Sequence, residues 1–265
     1  MGQLRFTVLG CGSSGGVPRL GDQWGECDPQ NPKNWRRRCS LLVERETQDG
    51  ITRVLIDTSP DMRTQLLDAG VGQLDGVVYT HSHADHVHGL DDLRMIVFNM
   101  RRRLPVWADK ATCSNLMARF AYAFVQAEGS PYPPILELNE ILDEVAVIGA
   151  GGAIKLTPFE VEHGTISALG FRIGPVAYLP DVSAMTDQSW QAIKGSACWI
   201  LDSLRRAPHP SHTHLSQSLE WIKKAGVKSG VLTNMHIDLD YDTLCSELPG
   251  NIQPAYDGMT LHYDN

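Results

Sequence analysis

Short apolar runs alternate with amphipathic stretches along the whole chain, which is the pattern of a mixed α/β protein. Leu4 to Leu9 reads as a strand. It ends in the glycine-rich stretch Gly10-Cys11-Gly12-Ser13-Ser14-Gly15-Gly16, and a loop too polar to be core continues as far as Arg38. Leu41 to Glu44 and Arg53 to Asp57 are predicted strands joined by a Gln48-Asp49-Gly50 turn, and Pro60 to Asp68 is a predicted helix closed by Gly70. Asp75 to Thr80 is a short apolar strand that runs into a histidine cluster, with helical spacing beyond it from Leu90 to Arg101. Leu104 to Ala108 follows as a strand. Ala111 to Gln126 is a helix with Leu116, Phe120 and Phe124 on one face, stopped by Pro131, Pro133 and Pro134.

Beyond Ile154 the chain favours strands: Leu156 to Val161, Leu169 to Ile173 and Val176 to Leu179, the last two linked by Gly174-Pro175. Helices at Asp187 to Lys194 and Leu215 to Ala225 flank the apolar strand Cys198 to Leu201. Val227 to Thr233 returns as a strand, and Ile252 to Tyr263 closes with a hairpin-like Asp257-Gly258. Two strand-rich halves, each with helices, predict two sheets packed face to face under outer helices. Several strands end in His or Asp, where loops of different origin converge on one site.

The 265 residues suffice for a large core, and no linker or repeat interrupts them, so one domain spanning 1–265 is expected. Lysine and arginine number 23 against 31 aspartates and glutamates, a net charge of −8. That balance argues against DNA as a partner and requires any anionic substrate to be met by local positive charge. No apolar run approaches the roughly 18 residues of a membrane span, and Met1 to Gly10 reads as strand rather than secretory signal. A cytoplasmic protein without membrane attachment is expected. Cys11, Cys27, Cys39, Cys113, Cys198 and Cys245 form no C-x-x-C pair and are expected to stay thiols in a reducing compartment, most of them as small buried hydrophobes.

Thr80-His81-Ser82-His83-Ala84-Asp85-His86 packs nitrogen and oxygen donors more densely than a solvated loop needs. The H-x-H spacing lets a tight loop aim His81 and His83 at one divalent ion while Asp85 and His86 turn towards a second. Two such ions, about 3.5–4 Å apart, activate water and stabilise charge on substrate oxygens. Further ligand candidates stand at strand ends: Asp57 after Leu55-Ile56, His163 after Val161-Glu162, Asp181 after Leu179-Pro180, and His236 after Thr233. Singly, each is more often structural; together they complete a binuclear set.

Gly10-x-Gly12-x-x-Gly15 superficially fits a dinucleotide fingerprint, but that fingerprint starts a helix inside the motif, whereas Val17-Pro18 continues as loop. Two readings remain level: a backbone nest with Ser13 and Ser14 contacting substrate, and a tight turn alone. Arg36, Arg37 and Arg38 form one of two basic runs, the other being Arg101 to Arg103, and such runs usually lie on a solvated face. His88, His209 and His262 read as flanking or surface residues.

With H-x-H-x-D-H matched at His81, His83, Asp85 and His86, the chain resembles the metallo-β-lactamase superfamily over essentially its whole length. The resemblance implies an α/β fold of the αββα sandwich type, with two mixed sheets face to face and helices on both outer sides. It implies two divalent ions, Zn2+ or Mn2+, with His81, His83 and His163 on one, Asp85, His86 and His236 on the other, and Asp181 bridging. Asp57 would then accept a hydrogen bond that orients the histidine loop.

Within the superfamily the chain is most similar to the phosphoribosyl cyclic phosphate phosphodiesterases of phosphonate catabolism, through Gly15-Gly16-Val17-Pro18, Arg37-Arg38-Cys39-Ser40, His212-Thr213-His214-Leu215 and Asp257-Gly258-Met259. That likeness makes His212 the general acid, with His214 a second candidate, and adds Asp85 and Asp57 to the catalytic set. Ser13, Ser14, Arg37, Arg38 and His214 become candidate substrate contacts, because the matching segments approach the site. Two departures stand out. The subfamily's last histidine directly follows Thr, whereas here Asn234 and Met235 separate Thr233 from His236, so that ligand needs a local backbone shift. The subfamily's cysteine cluster for a structural zinc is reduced to Cys27, and no structural zinc is expected.

The expected function is therefore a binuclear phosphodiesterase acting on a small, phosphorylated, nucleotide-like substrate of the 5-phosphoribosyl 1,2-cyclic phosphate type. Alternatives are a lactonase or thioesterase-type acyl hydrolase, an RNA 3′-end processing nuclease of the same fold, and a non-enzymatic nucleotide-binding regulator. A homodimer is left open as the assembly.

Overall fold

The computed structural model describes residues 2–264; Met1 and Asn265, at the ends of the expected domain, lie outside the described residues. The strands are β1 (Gln3–Gly10), β2 (Ser40–Thr47), β3 (Gly50–Ile56), β4 (Gly76–Val78), β5 (Leu104–Ala108), β6 (Leu136–Glu140), β7 (Val145–Gly149), β8 (Gly152–His163), β9 (Ile166–Ile173), β10 (Val176–Leu179), β11 (Cys198–Asp202), β12 (Ser229–Thr233), β13 (Ile252–Pro254) and β14 (Met259–Asp264). They form two seven-stranded sheets, β14-β1-β2-β3-β4-β5-β6 and β13-β12-β11-β10-β9-β8-β7. Both are mixed: β2 runs antiparallel to β3 while β3 to β6 are parallel, and β8 to β10 are antiparallel while β10 to β13 are parallel. Two mixed sheets with helices are the metallo-β-lactamase fold class that the sequence predicts. The parallel strands read as unbroken apolar runs because both of their faces are buried, as in Val54-Leu55-Ile56 and Cys198 to Leu201.

The chain divides into two compact units. The first comprises Met1–Leu9, Ser40–Lys155 and Thr260–Asn265, the second Gly10–Cys39 and Leu156–Met259. In the first, helices α1 (Met62–Asp68), α2 (Ala84–Val87), α3 (Leu93–Met100) and α4 (Lys110–Phe124) bury one face each in a core of Leu55, Val77, Leu93, Leu116 and their neighbours. The Asp109 carboxylate caps α4 by accepting from the Thr112 N–H at 2.8 Å. Phe120 leaves helical geometry and is only partly buried, so the face read from sequence is carried by Leu116 and Phe124. In the second unit, α5 (Asp187–Ile193) and α6 (Leu215–Ala225) cover β11, where Trp199 is fully buried. Trp190 stands edge-on to both Trp199 and Trp221, with the Lys224 ammonium 3.9 Å from its ring centre.

Several expectations need correction. Asp257-Gly258 joins no hairpin, because β13 pairs with β12 in one sheet and β14 lies beside β1 in the other. The stretch before Arg38 contains core after all: Cys27, Asn34 and Arg36 are buried, Asn34 completely. Strands β6 and β7 and helix α7 (Tyr241–Glu247) were not read from the sequence. β6 is laced with acids, and α7 starts from the Asp240 carboxylate accepting the Thr243 N–H at 2.9 Å. No helix among the described residues is long and apolar enough to cross a membrane.

Candidate metal centre

In the first unit the chain leaves β3 and turns at Asp57, whose φ of 63° is left-handed backbone that a short aspartate tolerates. Its carboxylate is fully buried and accepts three hydrogen bonds: from the Thr80 N–H at 2.8 Å, the Thr80 hydroxyl at 2.8 Å and His86 Nδ1–H at 2.8 Å. Burial pushes the Asp57 carboxyl above the usual range, and His86 and Thr80 pull against it. Since the Thr80 hydroxyl donates to Asp57, it accepts from His81 Nδ1, 3.0 Å away. Each of His81 and His86 therefore carries its proton on Nδ1 and presents the Nε2 lone pair, the arrangement usual for imidazoles that bind metal.

The rings of His83 and His86 lie 4.6 and 4.3 Å from that of His81, and Asp85 Oδ2 is 3.6 Å from His86 Nε2. The loop is fixed from three sides. The Thr58 N–H donates to the His86 carbonyl, the Gly89 N–H donates to the Thr58 carbonyl, and the Arg119 guanidinium donates to the Ser82 carbonyl at 2.7 Å.

In the second unit, His163 ends β8 and donates Nδ1–H to the Ser211 carbonyl at 2.6 Å, again presenting Nε2. Asp181 follows β10 after Pro180, and its Oδ1 lies 3.9 Å from His163 Nε2 and 3.5 Å from His212 Nδ1. One donor atom from each of His163, Asp181 and His212 falls within 4.8 Å of the other two. The His163 imidazole and the Asp181 carboxylate are donors that suit a divalent transition metal, and the histidine–aspartate loop of the first unit offers the same chemistry, whereas His212 is engaged at Nδ1 by Asp202.

Asp202 ends β11, fully buried, and accepts His212 Nδ1–H at 2.9 Å and the Val182 N–H at 3.1 Å. Burial lifts its carboxyl to about 6, against the pull of His212, with Asp181 adding to the rise. The sequence reading missed Asp202, although it ends an apolar strand just as Asp57 and Asp181 follow theirs.

His236 is not brought into this group. Its Nδ1–H donates to Asp238 Oδ1 at 3.0 Å, and its Nε2 accepts from the Arg19 guanidinium, so both ring nitrogens are engaged away from Asp181. The residue beside Asp181 is Asn234, buried, at a φ of 59°. Its amide donates to Asp181 Oδ1 at 3.3 Å and to Asp202 Oδ1 at 3.1 Å. The expected backbone shift thus delivers Asn234, directly after Thr233, instead of His236.

The other candidates lie in the second unit, where the glycine loop is joined to the arginine segment: the Gly12 N–H donates to the Arg37 carbonyl at 2.8 Å and the Val17 N–H to the Arg36 carbonyl at 2.9 Å. Ser13 is buried and Ser14 exposed. Arg36 is buried and donates to Asn34 Oδ1 at 3.1 Å, a structural role. Arg37 and Arg38 are half-buried, and the Arg37 backbone N–H donates to Asp257 Oδ2 at 2.8 Å. His214 precedes α6 without capping it through its side chain and lies outside the donor group. The Cys27 thiol sits 4.0 Å from the Arg36 guanidinium.

Comparison with known proteins agrees with the fold. The family model described as the beta-lactamase superfamily domain matches residues 52–237. A diphosphatase of the PhnP family is 35% identical, with a TM-score of 0.87, the match covering 99% of this chain and 98% of that one. Zinc-bound PqqB from Methylobacterium extorquens shares the fold at 18% identity and a TM-score of 0.71, over 97% of this chain and 99% of that one. A protein of Porphyromonas gingivalis named octanoyltransferase is 35% identical over 98% of this chain but only 52% of its own length. The chain spans about half the length of the curated relatives it matches. On the family match and the PhnP-family likeness together, the chain belongs to the metallo-β-lactamase superfamily, in its PhnP-like branch.

Proposed function

We propose that the chain is a metal-dependent phosphodiesterase acting on a small cyclic or nucleotide-like phosphodiester of the phosphoribosyl cyclic phosphate type. The observation that carries this reading is the His212–Asp202 pair set beside His163 and Asp181. Following the family pattern, His81, His83 and His163 would hold one divalent ion, zinc or manganese, and Asp85 and His86 a second, with Asp181 shared. Such ions, when bound, supply Lewis-acid stabilisation of phosphoryl charge and an acidified water.

The protein's own part is proton delivery and positioning. Asp202 at Nδ1 fixes the His212 tautomer and stabilises the imidazolium, so His212 carries a transferable proton at Nε2 for the departing alkoxide. His214 is the second candidate for that step. Asp57 holds His86 and, through Thr80, His81 in the orientation that metal binding needs. Ser13, Ser14, Arg37 and Arg38 are assigned to substrate contact. The name octanoyltransferase belongs to a protein about twice as long as the segment matched here, and it does not displace phosphodiester hydrolysis.

The test is hydrolysis of bis(4-nitrophenyl) phosphate and of nucleoside 2′,3′-cyclic phosphates, abolished by chelator and restored by Mn2+ or Zn2+. Replacing His212 by Ala should lower kcat by about 10²–10⁴ on the cyclic esters, whose alkoxide needs a proton. The loss should be far smaller with 4-nitrophenolate as the leaving group. Metal-loaded protein inert towards both kinds of ester would refute the proposal.

A further inference from the structure

We infer that a cavity at the entrance to β3 and β4, rimmed by Arg53 and Arg102, is a binding site for a small multivalent oxyanion. The site lies within the first unit, away from the histidine loop, and stands whatever ester the protein hydrolyses.

Five polar side chains line one hollow of about 260 Å³: Arg53 from β3, Gln73 and Asp75 from the segment leading into β4, and Asn99 and Arg102 from the exit of α3. Ile51, Met100 and Ala150 supply an apolar wall. The fold sets this hollow apart from the histidine loop. β3 and β4 are parallel, the hollow lies at their amino ends, and Asp57 and Thr80 follow their carboxyl ends. Arg53 and Asp57 are about 13 Å apart along the strand.

Asp75 fixes the base of the hollow. Its backbone N–H donates to the Arg53 carbonyl at 2.8 Å, and its Oδ2 accepts the Arg53 N–H at 2.9 Å, so the carboxylate is clamped to the start of β3. Its Oδ1 accepts from Arg102 Nη2 at 3.0 Å. This packing depends on Gly149 at the end of β7, where a Cβ would lie 2.5 Å from Asp75 Oδ2. The Asn99 side-chain amide donates to the Gly72 carbonyl at 3.0 Å and ties the end of α3 to the segment that carries Gln73.

Donors remain once these bonds are made. Among the described residues the Arg53 guanidinium uses only Nε, on Glu44 Oε1 at 2.9 Å, which leaves both Nη groups for a ligand. Arg102 uses only Nη2, on Asp75 and on the Leu74 carbonyl at 3.5 Å, which leaves Nε and Nη1. The second basic run of the sequence is thereby divided. Arg103 donates Nε–H to the Leu136 carbonyl at 3.2 Å, a structural role, whereas Arg102 serves the hollow.

The charges do not cancel. Glu44 faces Arg5 as well as Arg53, and Asp75 faces Arg102, so three guanidinium groups meet two carboxylates. Exposed Arg101, next to Arg102, makes no ion pair among the described residues and adds to the surplus. In a protein of net charge −8 this is a local excess of positive charge with N–H groups to spare, which suits an anion. Guanidinium forks bind phosphate, sulfate and carboxylate groups through paired N–H donors, and two of them favour a dianion over a monoanion. The volume falls below the roughly 300 Å³ at which drug-sized pockets begin, which limits the ligand to a small molecule.

The test titrates sulfate and succinate, a tetrahedral dianion and a dicarboxylate, calorimetrically into metal-loaded protein at constant ionic strength set with chloride. At least one of them should bind at a single site, and the better binder tells phosphate-like from carboxylate ligands. Arg102→Gln should weaken that binding about tenfold or more. Gln73→Glu, at an exposed position that folding should tolerate, should do the same by placing a negative charge on the rim. Both variants should keep the metal content of the wild type, because neither residue belongs to the proposed ligand set. Absence of binding by either dianion up to about 10 mM, or binding that persists unchanged in both variants, would overturn the site.

Discussion

Asn234 donates its amide to Asp181 Oδ1 at 3.3 Å, in the place where the family pattern sets a histidine directly after threonine. A neutral amide is a poorer metal donor than imidazole, and here it also occupies a lone pair of the carboxylate proposed to be shared between two ions. The two proposed ions should therefore load stepwise, one firmly and one loosely. Asn234→His should tighten the looser ion by about 10–100-fold, and His tolerates the left-handed backbone there better than most residues. His236→Ala should leave metal content unchanged. Metal analysis with calorimetric titration checks this, and two ions of matched affinity in the wild type would contradict it.

Asp57 unites three donors in a fully buried site, so its removal should be felt in both stability and metal binding. Asp57→Ala leaves the His86 Nδ1–H and both Thr80 donors without an acceptor and should cost about 3–5 kcal/mol in urea unfolding. Metal affinity should fall by about 10–100-fold, because His81 and His86 lose their fixed tautomers. Asp57→Asn, which keeps the volume and one acceptor oxygen, should fall between. Wild-type metal affinity in Asp57→Ala would rule out the positioning role.

The histidine loop was legible because its chemistry is local: His81 to His86 are contiguous, and an apolar strand announces them. The parallel strands were legible through their unbroken hydrophobicity. What stayed hidden depends on partners distant in sequence. Asp202 gains its meaning from His212 and Asn234, and nothing in Cys198 to Asp202 distinguishes an orienting acid from a strand terminator. Arg36 reads as one of three surface cations until Asn34 and Cys27 are found folded over it. Asp257-Gly258 has hairpin chemistry, but the Asp257 carboxylate is drawn to Cys11 and Arg37, and the flanking strands go to different sheets.

Gly89 follows the histidine loop for a steric reason. A Cβ there would lie 2.1 Å from the Ser59 carbonyl oxygen and 3.0 Å from Met62 Cβ. Gly89→Ala should therefore push the loop's exit away from α1 and strain the Gly89 N–H bond to Thr58. Overpacking of this kind costs about 1–3 kcal/mol. Thermal unfolding should register the loss, and metal affinity should drop with it because His86 is tied to Thr58 through the same segment. A variant as stable as the wild type would show that the α1 start yields freely.

Asp257 should give the protein a stability that falls as pH rises. The buried carboxylate accepts from the Cys11 N–H at 3.1 Å and the Arg37 N–H at 2.8 Å, yet burial outweighs these bonds and the Arg37 charge and lifts it to about 7. An unfolded aspartate titrates near 3.9. Between those values the folded state binds more protons than the unfolded one, so stability declines as pH rises through the window and levels off above about 7. The full difference corresponds to about 4 kcal/mol as an upper bound. Asp257→Asn cannot ionise. It should sacrifice one backbone hydrogen bond, and its urea midpoints between pH 5 and 8 should fall less with pH than those of the wild type. Asp202, also raised, titrates in both proteins and cancels in the difference. Parallel profiles for the two proteins would mean that Asp257 stays ionised across the range, held by the Cys11 and Arg37 N–H groups against its burial.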